Sequence, residues 1–332
     1  MRLIQFRDDK GQRKVGLVEA DGDHATTLND VTTVYELANT AIERGTGLEA
    51  LVTQLAKGER VNYDALLKAG RVLPPVDHPE PARFLVTGTG LTHTGSAAAR
   101  NKMHVMTQGS NAPESDSMKI FRMGVEGGKP PKGKVGVMPE WFFKGTSHCI
   151  VPPGGPLPLP AYAQAGAEEP EVVGIYILDK EGMPYRIGFT LGNEYSDHIT
   201  EAQNYLFTAN SKLRACAIGP ELLLGDLPHD IRGKTRVLRD GKTLWEDDFL
   251  SGEANMSHTV GNLEHHHFKY GMFRRPGDLH AHFFGAAVLS FASGIKTKPG
   301  DEFEIVAPAF GKPLRNRMEA VTDEGLITVR AL

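Results

Sequence analysis

The sequence predicts an α+β fold, mostly β, in which a small N-terminal α+β domain precedes a larger β-rich domain. Three observations predict it. Short apolar runs dominate from Arg83 onward, Gly, Pro and Asp turns separate them, and helical periodicity stands out before Pro74-Pro75. A length of 332 residues at roughly 150 per domain fits two units, placed at 1–75 and 76–332.

Taken in order, Leu3 to Phe6 and Lys14 to Val18 read as paired strands around the turn-rich Asp8 to Gln12. Val34, Leu37, Ala38, Ala41 and Ile42 repeat at helical spacing behind the candidate caps Asp30, Thr32 and Thr33, and Leu48, Leu51, Val52, Leu55 and Ala56 repeat the pattern. Consecutive prolines at 74 and 75 end the unit, because proline cannot continue a helix and extends the residue before it. Phe84 to Val86, Val172 to Leu178, Arg186 to Leu191 and Glu302 to Val306 are the strand candidates of the larger domain. The Gly-, Pro- and Lys-rich stretch from Gly124 to Pro139 reads as a loop.

Composition narrows the function. Thirty-seven Lys and Arg against 41 Asp and Glu give a net charge of −4, which argues against nucleic acid as a partner. No run approaches the ~18 apolar residues of a membrane span, and MRLIQFRDDKGQRK turns polar too soon for a secretory signal, so a cytoplasmic protein is expected. Cys149 and Cys216 are too few for a zinc cluster and too isolated for a disulfide framework. Thirteen histidines raise the question of a metal site. The triplet His265-His266-His267 cannot supply three convergent ligands, since adjacent residues point apart on either a strand or a helix. His280 and His282 would share a strand face, with no nearby Cys or carboxylate pattern to strengthen them.

The most informative segment is Glu168-Glu169-Pro170-Glu171-Val172-Val173-Gly174-Ile175. On a strand Glu169 and Glu171 share a face that Val173, Ile175 and Ile177 continue toward a core. Two carboxylates side by side repel unless one is protonated or a cation intervenes, and a hard divalent ion bound through oxygen resolves the conflict. After the turn Asp179 to Gly182, a second strand would return Glu194 toward the pair. By spacing alone the pair also fits solvated acids on a surface strand.

These residues resemble the fumarylacetoacetate hydrolase superfamily over roughly Pro74 to Met318. Glu169-Pro170-Glu171-Val172-Val173 is similar to its E-x-E strand, and Gly192-Asn193-Glu194 to its G-N-D turn, with Glu in place of the usual Asp. Pro139 to Lys144 resembles its P-x-F-F-x-K stretch, Val151 to Leu157 the turn before the metal strand, and Lys212 with Cys216 to Pro220 its lysine before G-P. Pro299-Gly300-Asp301 and Gly311 to Asn316 resemble its closing turn and strand. The resemblance implies a β-roll catalytic domain, commonly a homodimer, in which Mg²⁺ or Mn²⁺ held by Glu169, Glu171 and Glu194 chelates a 2-oxo acid substrate.

The departures are informative. Gly88 to Ser96 is a reduced form of the family's catalytic segment: His93 is kept, and Ser96 or a neighbour stands where the acid that orients it belongs. His198 and Glu201 stand where the family's substrate-contacting Arg and Gln would be. These changes fit a branch that dehydrates 2-keto-3-deoxy sugar acids, which requires a proton donor and acceptor and no attacking water. The expected function is therefore a Mg²⁺-dependent lyase of this kind. His93 is the expected acid-base residue, Lys212 and Lys144 the electrostatic support, and Gly88, Thr89, Ser96, His198 and Ser257 the substrate contacts. The alternatives are a hydrolase cleaving a carbon-carbon bond of acylpyruvate-type 1,3-diketones, and a noncatalytic sugar-acid sensor.

Overall fold

The computed structural model describes every residue except 96, 97, 99–114 and 324. At the N-terminus β1 (Arg2–Arg7) pairs antiparallel with β2 (Arg13–Val18), the pairing the sequence predicts. Strands β3 (His24–Leu28) and β4 (Lys57–Asn62) extend the meander, and β5 (Val72–Leu73) joins the other side of β1. Helix α1 (Val34–Glu43) starts at Thr33, whose hydroxyl accepts from the Glu36 amide at 3.1 Å. Its apolar face and that of α2 (Leu48–Gln54) meet Leu3 and Val15, while α3 (Tyr63–Lys68) packs Tyr63 and Leu66 against Ile4 and Phe6.

Beyond Pro75 the chain is strand-rich. It forms β6 (Phe84–Gly90), β7 (Glu140–Thr146), β8 (Ile150–Val151), β9 (Pro156–Leu159), β10 (Pro170–Leu178), β11 (Pro184–Asn193), β12 (Cys216–Ile218) and β13 (Leu222–Leu223). Then come β14 (Ile231–Arg239), β15 (Lys242–Ser251), β16 (Leu279–Phe283), β17 (Glu302–Val306) and β18 (Leu314–Ala320). One sheet runs β4-β3-β2-β1-β13-β11-β10-β16-β6-β7, with β5, β8 and β12 paired at its sides, and a second runs β15-β14-β17-β18-β9. Val172, Phe189 and Leu191 of the first sheet meet Ile231, Phe249, Ile305 and Leu314 of the second in one apolar cluster. The N-terminal strands belong to the first sheet, because Arg2 and Leu3 pair with Leu223 and Leu222. Leu3, Val15 and Leu37 also share a core with Val173, Ile175 and Ile177.

The expected loop from Gly124 to Pro139 is corrected at its start. Helix α4 (Asp116–Gly127), capped by Ser115, continues through Gly124 to Gly127, and irregular chain follows. Gly124 serves packing here, since a Cβ at that position would lie 2.7 Å from His258 Nε2. Among the described residues, further helices are α5 (His198–Gln203), α6 (Thr208–Lys212) and α7 (Val260–Phe268).

Candidate active site

Strand β10 lies in the middle of the first sheet and is buried along its whole length, so the surface-strand alternative is excluded. Pro170 opens the strand, where its missing amide costs no ladder bond. The β10–β11 register sets Pro170 opposite Asn193 and Glu171 opposite Gly192, and the Glu194 amide donates to the Glu169 carbonyl at 3.0 Å. Gly192 is required at this crossing, because a Cβ there would come within 2.4 Å of Phe283 and 2.5 Å of Val173. Glu169, Glu171 and Glu194 are all buried, and one carboxylate oxygen from each lies within 4.8 Å of the others.

Two lysines hold this cluster. Lys212, at the end of α6, bonds Glu169 Oε1, Glu194 Oε2 at 2.5 Å and Ser196 Oγ at 3.2 Å. Lys144, on β7, donates to Glu194 Oε1 at 2.5 Å, to the carbonyls of Glu194 and Tyr195 at 2.9 Å each, and to the Lys212 carbonyl at 3.0 Å. An ammonium has three N–H bonds, so Lys144 is fully engaged beneath Glu194.

Three carboxylates and two ammonium groups leave an excess of negative charge in a dry site. Burial, then the charges of Glu169 and Glu194, push the Glu171 carboxyl well above the ordinary range against one amide donor, Gly285 N at 2.7 Å. Burial also raises Glu194 despite Lys144 and Lys212. Burial acts in the same direction on Glu169, where the attraction of Lys212 and His198 outweighs it and lowers the pKa. An all-oxygen set of converging carboxylates, one of which has a single amide donor among the described residues, fits a hard divalent cation, which would relieve the repulsion that raises Glu171.

The other expected residues are placed as follows. His93 is buried, with Nδ1 2.9 Å from Thr92 Oγ1, and burial lowers its pKa to about 4. The Thr92 hydroxyl gives its proton to the Phe284 carbonyl at 2.5 Å, so its oxygen accepts from His93 Nδ1–H and leaves the lone pair on Nε2. This ties the His93 segment to the turn whose Gly285 amide holds Glu171. Ser257 donates to the Thr92 carbonyl at 3.1 Å, and Thr89 to the Phe283 carbonyl at 3.2 Å. Gly88 makes room for Phe142, whose ring a Cβ would meet at 2.4 Å. Ser96 lies outside the described residues.

His198 sits against the acidic cluster, with Nδ1 3.8 Å from Glu169 and 3.2 Å from Glu201 one helical turn away. Glu169, His198 and Glu201 form a second group with ligand atoms within 4.8 Å of one another. Their H-x-x-E spacing on α5 was a readable signal. Glu168 and Glu140 are also buried carboxylates, to which the sequence assigns no role. Glu168 takes the Ser290 amide at 2.9 Å and its hydroxyl at 2.7 Å, and Glu140 stands over Gly90, whose Cβ would lie 2.3 Å from Oε1. The His265 to His267 run does diverge. His266 meets the Gly136 carbonyl at 3.0 Å, and His267 Nε2 meets His280 Nδ1 at 2.9 Å.

No family model matches the chain. A curated relative, a probable 2-keto-3-deoxyxylonate dehydratase of Haloferax volcanii, is 27% identical over 251 residues, spanning 74% of this chain and 73% of that protein. Among solved structures, 2-keto-3-deoxy-D-arabinonate dehydratase in its apo form superposes with a TM-score of 0.70 at 19% identity, covering 97% of this chain and 100% of that one. The chain has the fold of that dehydratase. The same dehydratase complexed with magnesium and 2,5-dioxopentanoate gives a TM-score of 0.69 at 19% identity, covering 97% of this chain and 99% of that one. A 5-carboxymethyl-2-hydroxymuconate delta-isomerase from Mycobacterium smegmatis gives 0.58 at 17% identity, covering 97% and 100%. These likenesses agree, at the level of the fold, with the superfamily resemblance read from the sequence.

Proposed function

We propose that the chain is a Mg²⁺-dependent dehydratase of a 2-keto-3-deoxy sugar acid, with Mn²⁺ as the alternative ion. The observation that carries this reading is the buried convergence of Glu169, Glu171 and Glu194 with Lys212 set between two of them. The names of the relatives support the same choice: a sequence relative is a probable dehydratase of one such acid, and a structural relative is a dehydratase complexed with magnesium.

In this reading the three glutamates hold the ion, which when bound polarises a 2-keto group and anchors the neighbouring carboxylate. Lys212 supplies positive charge beside the glutamates, where negative charge develops on the substrate oxygen. His93 takes a proton at Nε2, the nitrogen that the Thr92 hydrogen bond leaves with a lone pair; burial keeps the ring neutral at neutral pH, as a base requires. Lys144 fixes Glu194 from below and so positions the ligand set. The catalytic, substrate-binding and metal roles of these residues, a homodimer, a cytoplasmic place and a part in sugar acid breakdown all belong to this proposal.

One feature favours the hydrolase reading. The His198–Glu201 pair at 3.2 Å is a histidine oriented by a carboxylate, and His198 Nε2 is buried without a hydrogen-bond partner among the described residues. Such a pair activates water, the function the reduced segment around His93 lacks. Incubation of the purified protein and Mg²⁺ with 2-keto-3-deoxypentonates separates the readings. A dicarbonyl product of unchanged carbon count supports the dehydratase. Turnover of acylpyruvates by chain cleavage alone would overturn it, and tight binding with no turnover of either substrate would point to the sensor.

A further inference from the structure

The only two cysteines of the chain, 67 positions apart, lie with their sulfurs 3.9 Å from each other. Cys149 ends a short 3₁₀ turn after β7 and is half-buried, while Cys216 opens β12 and is fully buried. The two are brought together by the parallel pairing of β8 with β12, in which Cys216 faces Ile150, the residue after Cys149. A diagonal position across neighbouring strands places Cα atoms ~6 Å apart, which is the separation a disulfide spans.

The pair stands directly behind the acidic cluster. A Cβ on Gly145, the residue after Lys144, would lie 3.3 Å from Cys149 Sγ. On the other side Ala217, the residue after Cys216, pairs with Asn193, the residue before Glu194. Lys144 and Glu194 are the two groups joined by the buried ion pair, so Cys149 lies against the strand that carries one partner and Cys216 is one residue from the strand pairing that leads to the other.

We propose that Cys149 and Cys216 are a reversible thiol–disulfide pair closed by a peroxide, and that closure weakens cation binding by displacing Lys144 and Glu194. The chemistry balances with hydrogen peroxide as the oxidant. The Cys149 thiolate attacks one peroxide oxygen, the O–O bond breaks, and a sulfenic acid and hydroxide result; the hydroxide takes the thiol proton and leaves as water. The Cys216 sulfur then attacks the sulfenic sulfur, the S–O bond breaks, and the second water carries off the Cys216 proton. Two thiols and one peroxide thus become one disulfide and two waters. The division of roles follows from position. Cys149 is the reachable sulfur, and a hydrogen bond from Cys216 lowers its pKa; burial, then the neighbouring Cys149, holds Cys216 well above the ordinary thiol range. An S–S bond is ~2.05 Å long, so the sulfurs must close by about 2 Å, and the backbone around Gly145 gives way with them.

The test treats the full-length protein with hydrogen peroxide and maps its peptides without reductant. The expected result is a peptide cross-linked through Cys149 and Cys216, lighter by two hydrogens and opened by dithiothreitol. It should be absent from Cys149→Ser and Cys216→Ser. Titration calorimetry with Mg²⁺ should then show affinity lowered about 10-fold in the oxidised protein, restored by dithiothreitol and unchanged by peroxide in Cys149→Ser. Sulfinic acid on Cys149 with no cross-link overturns the pair. A cross-link with unchanged Mg²⁺ affinity overturns the coupling, as does a reduced protein that binds no Mg²⁺, and in that last case the peptide map still reports the pair by itself.

Discussion

Replacing Lys144 with methionine isolates the charge of a residue whose stem is otherwise kept, because methionine fills nearly the same volume. Both side chains of the Lys144–Glu194 pair have no exposed surface. Breaking a buried ion pair by removing one partner costs about 3–5 kcal/mol. The carbonyls of Glu194, Tyr195 and Lys212 also lose a donor, adding about 1 kcal/mol or more in total. Glu194 keeps Lys212 at 2.5 Å and Ser196 Oγ at 2.8 Å, which limits the loss. The expected net destabilisation is about 4 kcal/mol, a large part of the ~5–15 kcal/mol of a folded domain. Urea unfolding in the presence of a chelator reads it as a lower midpoint at similar slope. The pH dependence adds a second check. Glu194 already has a raised pKa and loses an attracting charge in the variant, so the variant gains more from protonation than the parent does. The gap between the two should therefore narrow on going from pH 7.5 to pH 5.5. An unchanged midpoint, or a gap that widens in acid, refutes the assignment of Lys144 as the strut beneath Glu194.

Two further outcomes are expected. Glu169→Gln and Glu171→Gln should each lower Mg²⁺ affinity by more than the ~10–100-fold typical of outer-shell groups, while His280→Ala leaves it unchanged; calorimetry showing the reverse pattern would move the metal site to the histidines. Burial depresses His258 to about 4 and His267 to about 3, so each is neutral in the fold; the stability this confers is complete above the ordinary value near 6.5 and is lost as pH falls toward those values. At pH 5 each should cost about 2 kcal/mol, and His267→Gln should flatten the slope of unfolding free energy between pH 6.5 and 5. An identical slope in that variant would count against the buried neutral ring.

Legibility in the sequence followed the range of the interactions. The E-x-E pair was readable because the alternation of a strand is local, and Val173, Ile175 and Ile177 do continue the face of Glu171 into the core. Glu194 was reachable because a hairpin returns the chain within a few residues of register. The helix ending at Gly127 was hidden because its glycines are weak helix formers, and packing explains why they stand there: a Cβ at Gly124 would lie 2.7 Å from His258 and one at Gly127 2.6 Å from Val137. The prolines at 74 and 75 mark a real break in regular structure. What they do not show is that Leu3 and Leu222 pair across it, so that the N-terminal strands extend the sheet carrying the glutamates.

The same reasoning explains why the charged groups around the cluster were harder to rank than the cluster itself. From the sequence Lys144 and Lys212 look alike: each is a lysine in a superfamily landmark. Their difference arises from strand and helix placement. Lys144 on β7 reaches a carboxylate and three carbonyls at once, which consumes its donors, whereas Lys212 at the end of α6 makes all its side-chain bonds to side chains that face the cluster. A side chain fixed to backbone holds geometry; one fixed to carboxylates shares their charge with whatever enters between them. Within the proposed function, that distinction gives Lys144 the positioning role and Lys212 the role of the cation that answers a substrate oxygen, whether the bond broken is the C–O bond of a sugar acid or the C–C bond of a diketone.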